Sequence, residues 1–225
     1  MSVATLIGAR IVAPGDWTDL ELDPATRHGA IRRAVRRAVA ADPALEGNAV
    51  RLIGLLDDIA RRAYDSGAFY CSSLVLGSAD TGLLVANVLM QITPDAGVPP
   101  PLFASEFEIC SALAAVVSCD PAWAGADVDV VTLPSVGSAV RMEVIAGGVC
   151  VQYLVPVPDS SRQIVLTFTS PYAPYAETLV RLFDSMASSF ALEYADSEGS
   201  EPFGGSGAVR PVPVPGPVPA LGPNE

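Results

Sequence analysis

Lysine is absent from this 225-residue chain, and all thirteen of its basic residues are arginine. A Walker-type phosphate loop needs its lysine, and a Schiff-base or pyridoxal-phosphate enzyme needs an amine nucleophile. A protein kinase needs the strand lysine beside its phosphates. All three classes are excluded. Histidine is nearly absent too. His28 is the only one, lying in TRHGA with no G-x-S-x-G elbow elsewhere in the chain, so a histidine-based triad has no supporting context. It reads as a solvent-facing side chain in the first turn of a helix. With one imidazole and no H-E-x-x-H, a histidine zinc site is unsupported.

The four cysteines, Cys71, Cys110, Cys119 and Cys150, form no C-x-x-C pair and read as free thiols, mostly buried. There is no G-x-G-x-x-G behind a strand, so dinucleotide binding has no motif. No catalytic residue, metal site or cofactor is expected. Long apolar runs are missing despite a mean hydropathy of +0.40. The longest, such as LLVANVLMQI at 83–92, fall far short of the ~20 residues of a spanning helix. The first residues, MSVATLIGAR, lack a basic segment and an A-x-A-like site, so no secretory signal, no membrane association and a cytoplasmic location are expected. Positive charge is scarce: 25 acidic residues give a formal net charge of −12 and a pI near 4.4. That balance disfavours nucleic acid as a partner.

What the chain does contain is the patterning of an α+β domain. IVAPGDWTDLEL at 11–22 begins extended and turns at Pro-Gly. Asp23-Pro24 predicts a helix start, and Ala30, Ile31, Ala34, Val35, Ala38 and Val39 recur at helical spacing to about Ala41. Asp42-Pro43 interrupts, and a second helix is expected from about Asn48 to Ser66, with Asp57–Arg61 and Asp58–Arg62 as i,i+4 pairs. AFYCSSLVL (68–76) and LLVANVLMQI (83–92), joined by GSADTG, predict a strand pair. LFASEFEICSALAAVV (102–117) returns to helical spacing, with Glu106 and Glu108 near its positive end. Four β-branched runs at 128–133, 139–145, 149–157 and 163–170 predict an antiparallel meander. A last helix is expected from near Pro174 to about Leu192.

The fold class expected is therefore an antiparallel sheet of six to seven strands sandwiched by helices, a single domain over 1–192. Residues 193–225 turn acidic, then glycine-rich, then proline-alternating (PVPVPGPVP). A disordered tail with a polyproline-like end is expected there, because it has too little apolar surface to offset its ordering entropy.

Candidate sites are few. Asp127 and Asp129 lie two apart at a strand start and so share a side; a solvated strand end is the reading favoured over a cation site. Trp17 and Trp123 are read as core-edge residues. The remaining feature is IRRAVRRAV (31–39). At ~100° per residue, Arg32, Arg33, Arg36 and Arg37 gather on one helix face opposite the apolar set. They form an ordinary solvated face, or a docking surface for an acidic partner, since the guanidinium fork grips carboxylate or phosphate in two places, or a seat onto which the acidic start of the tail (Glu193, Asp196, Glu198 and Glu201) folds back.

VCVQYLVPVPDSSRQIVLTFTSPYAPYAETLVRLFDSMASSFAL, a strand–turn–strand–helix unit with TSP before the helix, joins Pro-Gly-Asp-Trp at 14–17 in a pattern that resembles uncharacterised actinobacterial proteins. More distantly it resembles the PsbP-like superfamily, over about residues 5–192. The resemblance implies an αβα sandwich and a binding or accessory role with no shared catalytic motif, so it brings no site residues. The function expected is a non-catalytic module that binds another protein, with the arginine face as the candidate surface. The alternatives are a small-molecule binder or hydrolase with a pocket between sheet and helix, and a structural component of a larger assembly.

Overall fold

The computed structural model describes residues 5–78, 82–93, 105–158, 160–195 and 212–213. Its centre is a seven-stranded sheet. The strands are β2 (Trp17–Asp19), β3 (Ala68–Ser78), β4 (Gly82–Ile92), β5 (Asp127–Leu133), β6 (Gly137–Ile145), β7 (Val149–Pro156) and β8 (Gln163–Ser170), in the order β2-β3-β4-β8-β7-β6-β5. Every neighbour is antiparallel. The β3–β4 hairpin and the β5–β8 meander are both present as expected. The meander docks by its last strand, so β8 rather than β5 lies beside β4. Gly137 opens β6 with φ +80, a left-handed conformation that disfavours any residue with a Cβ.

Alternation assigns the two faces of the sheet. On β7 the odd-numbered residues from Val149 to Val155 are buried, and the even-numbered ones between them only half so. Val151, Tyr153 and Val155 join Val88, Met90, Leu166 and Phe168 in the largest core. Helix α4 (Ala176–Ser188) covers it with Leu179, Phe183 and Met186, and Phe183 stacks on Phe168 at 5.2 Å between centroids. On the opposite face Cys71, Leu83 and Val85 pack beneath α1 (Arg27–Ala41) and α2 (Ala49–Asp65). Farther along that face Val140 and Met142 pack with Cys110 of α3 (Glu106–Ser118). Helices on both sides of one antiparallel sheet make the α+β sandwich read from the sequence. Among the described residues no helix is long and apolar enough to cross a membrane.

Several local expectations are corrected. Asp23 does not cap α1. Its carboxylate accepts from the Ala25 N–H and its carbonyl from the Thr26 and Arg27 N–H groups, so Asp23–Thr26 is a turn and the helix starts at Arg27. Asp58 pairs with Arg62 as expected and also with Arg61, but Asp57 does not pair within its helix; it reaches Arg27 of α1 at 3.4 Å. Residues 102–104 of the third predicted helix lie outside the described residues. Ser105 caps α3, and Glu108 closes a reciprocal capping box with it.

The last helix stops at Ser188. Residues Ala191–Ala195 return as a strand (β9) beside an N-terminal strand, β1 (Thr5–Arg10), that the sequence reading missed. A second, three-stranded sheet results, completed by β10 (Val212–Pro213) on the other edge of β1. The tail expected over 193–225 thus begins inside β9. Apart from β9 and β10 it lies outside the described residues.

Candidate functional site

Helix α1 has one apolar edge. Ile31 and Val35, four apart, are buried among Leu45, Leu52 and Leu56, and that contact fixes the rotation of the helix about its axis. Rotation about that axis puts Arg32, Arg33, Arg36 and Arg37 on the far side, and all four are exposed. The Arg33 guanidinium lies back along the helix toward Gly29, its stem shielding the turn below. Among the described residues none of the four makes an ion pair or a side-chain hydrogen bond. Arg10, Arg27, Arg61, Arg62, Arg141 and Arg181, by contrast, all pair with carboxylates, while Arg51 and Arg162 are likewise without an ion pair among the described residues. The four guanidiniums thus share one exposed face of α1 without compensation among the described residues.

Arg27 begins the same helix but belongs to its buried edge. Its side chain is 12% exposed and faces Asp57 of α2. His28 is exposed in the first turn, as read, with Nδ1 3.8 Å from the same carboxylate. The thiols are placed for packing. Burial pushes Cys71 up to about 12 and, with the Glu106 charge, Cys110 up to about 11; burial raises Cys150 too. Such thiols are poor nucleophiles at neutral pH. Cys119 is exposed. Trp17 and Trp123 are half-buried at core edges.

Asp127 and Asp129 are exposed on the outermost strand, opposite Glu143 and Arg141 in register. Together they border a polar cluster that sequence reasoning did not single out. Arg141 of β6 forks onto Asp184 of α4, with Nε to Oδ1 at 3.0 Å and Nη2 to Oδ2 at 3.3 Å, and Nη2 also reaches Glu143 at 2.6 Å. The Tyr153 hydroxyl donates to Asp184. Burial opposes the Arg141 charge, but the hydrogen bonds to Asp184 and Glu143 outweigh it and raise the pKa. Tyr153 is raised by burial and by the Asp184 carboxylate. Every group in the cluster is satisfied by another, so its role is to clamp α4 to the sheet. Its signal in the sequence was a charged Arg-Met-Glu triplet whose two ends point to one face of a strand.

A pocket between α1, α2 and β3 is lined by Asp16, Thr18, Val35, Leu52 and Ser73, among others, and holds about 40 Å³. At ~10–15 Å³ per water it has room for a few waters, well short of a metabolite. Among the described residues no group of three or more His, Cys, Asp or Glu is placed to hold a metal ion. No protein-family model, curated protein or solved structure matches this chain.

Proposed function

We propose that this chain is a non-catalytic binding or accessory module that docks an acidic segment of another protein on Arg32, Arg33, Arg36 and Arg37. The observation that carries this reading is the set of four exposed guanidiniums without ion pairs among the described residues, in a chain of net charge −12. An acidic protein has carboxylates to spare for compensating its arginines, and six others here are compensated. Of those without an ion pair among the described residues, Arg51 and Arg162 stand singly, whereas Arg32, Arg33, Arg36 and Arg37 stand two and two on successive turns of a helix anchored by Ile31 and Val35. That arrangement offers rigid bidentate donors for carboxylates and steers an acidic partner toward one face. The resemblance to PsbP-like binding and accessory proteins supports the same reading, and a cytoplasmic location belongs to this proposal.

The test is fluorescence anisotropy with a labelled Glu/Asp-rich peptide, and with duplex DNA as a second polyanion. The wild type is compared with a variant carrying Arg32→Ser, Arg33→Ser, Arg36→Ser and Arg37→Ser. With each exposed contact contributing ~0.2–1 kcal/mol, the four together contribute ~0.8–4 kcal/mol, and peptide affinity is expected to fall about fourfold or more in the variant. It should also weaken as salt rises. Equal affinity in both proteins, or tighter binding of DNA than of peptide, would overturn the proposal.

A further inference from the structure

The stretch RRAVRRAV on α1 repeats every four residues: two exposed arginines, a half-buried alanine and a valine packed inward. That period is close to one helical turn, so Ala34 and Ala38 fall on one stripe. Both line the pocket over β3, whose floor is made by Val35, Leu52, Leu56 and Ser73, all buried. Two methyl groups stand where longer side chains would close the space. The Ser73 hydroxyl already donates to Asn87 Oδ1 at 2.7 Å, so the buried polar group of the floor is engaged and a water there gains little. The mouth lies between the two alanines and, across from them, exposed Asp16 and half-buried Thr18. At ~100° per residue, Arg37 stands about 60° round the helix from Ala34 and Arg33 about 100°, so both stand beside the mouth. Its 40 Å³ admits about three waters, which take up roughly 90 Å³ as liquid. That is the bulk of one valine or leucine side chain.

We infer that this pocket is a socket for one aliphatic side chain of the acidic segment that docks on the arginine face. The inference rests on that reading and names the partner more closely: carboxylates flanking a single valine or leucine. Two chemistries meet at one spot. Arg33 and Arg37 attract carboxylates beside the mouth, and the apolar floor favours surface removed from water. Asp16 at the opposite lip repels a carboxylate from the socket itself. Acidic side chains are thereby held to the α1 side, and the uncharged one enters. Exposed guanidiniums steer an acidic segment but fix no register along it, whereas one socket does. A buried anchor ringed by charged contacts is where binding energy concentrates.

The test titrates the full chain with two labelled peptides, Asp-Glu-Glu-Leu-Glu-Glu-Asp and the same peptide with serine in place of leucine, read by anisotropy. The wild type should bind the leucine peptide about tenfold tighter than the serine peptide, as burial of one such side chain implies. Ala34→Leu fills the socket from α1 and keeps all four arginines. It should bind both peptides alike, at the wild type's affinity for the serine peptide. Ala38→Leu, one turn on, is a second closing variant should Ala34→Leu lower the unfolding midpoint. Equal affinity of the wild type for the two peptides, with both weakened by the four Arg→Ser substitutions, would overturn the socket and leave the arginine face standing. So would a leucine preference that persists in both folded closing variants. Leucine-peptide binding undiminished by the four Arg→Ser substitutions would overturn the arginine reading, and the acidic occupant with it.

Discussion

Replacing Arg141 by methionine removes a side chain that is 13% exposed and holds two carboxylates, Glu143 at 21% and Asp184 at 41% exposure. Methionine fills most of the space of the arginine stem, so the loss isolates the charge. Breaking a fully buried ion pair costs about 3–5 kcal/mol, and an exposed pair is worth about 0–1. Glu143 lies near the buried limit, while Asp184 is screened on one side, so a loss of about 2–3 kcal/mol is expected. With a urea m-value of about 2 kcal/mol/M for a domain of this size, the unfolding midpoint at pH 7 should drop by about 1 M. A triple variant, Arg141→Met with Glu143→Gln and Asp184→Asn, removes the stranded charges and should recover at least half of that loss. A midpoint within about 0.2 M of wild type for the single variant would show that the cluster does not clamp α4. A triple variant no more stable than the single would show that packing of the arginine stem, and not its charge, is what matters.

Two further outcomes follow from the pKa directions. Glu108 is held below its ordinary 4.5 by the backbone N–H and hydroxyl of Ser105. Its support of α3 is therefore present above pH 4.5 and lost as pH falls through the lower native value. Acid unfolding followed by circular dichroism should show a shallower decline below pH 4.5 in Glu108→Gln than in wild type, and superimposable curves would refute this. Iodoacetamide at pH 8 should modify the exposed Cys119 first and leave Cys71 and Cys110 intact until denaturant is added. Peptide mass mapping that finds Cys71 alkylated as fast as Cys119 in the native protein would contradict their burial.

Much of the architecture was legible because period-two and period-3.6 burial are local properties. VCVQYLVP announces its inward residues by alternation alone, and IRRAVRRAV separates an apolar edge from a basic one within three turns. The missed elements carry no such signal. TLIGAR is six residues with a glycine near its centre. ALEYA follows α4 with neither glycine nor proline between Ser188 and Ala191, so Phe190 continues the apolar spacing of the helix. Each is a strand only because the other is beside it.

The sequence by itself determined the layers, the two faces of the main sheet, the exclusion of lysine-dependent and histidine-rich chemistry, and the position of the arginine cluster. These depend on residue type and on spacing along one element. Tertiary structure alone decided which charges find partners. Asp57 sits four residues before Arg61, at good helical spacing, yet it turns to Arg27 of the neighbouring helix. Asp184 and Arg141 are 43 residues apart and meet through sheet-to-helix packing. Electrostatic compensation depends on distance in space, which falls off over a few ångströms and is not encoded in any local period. For the same reason it took the fold to show that Arg32, Arg33, Arg36 and Arg37 have no ion pair among the described residues.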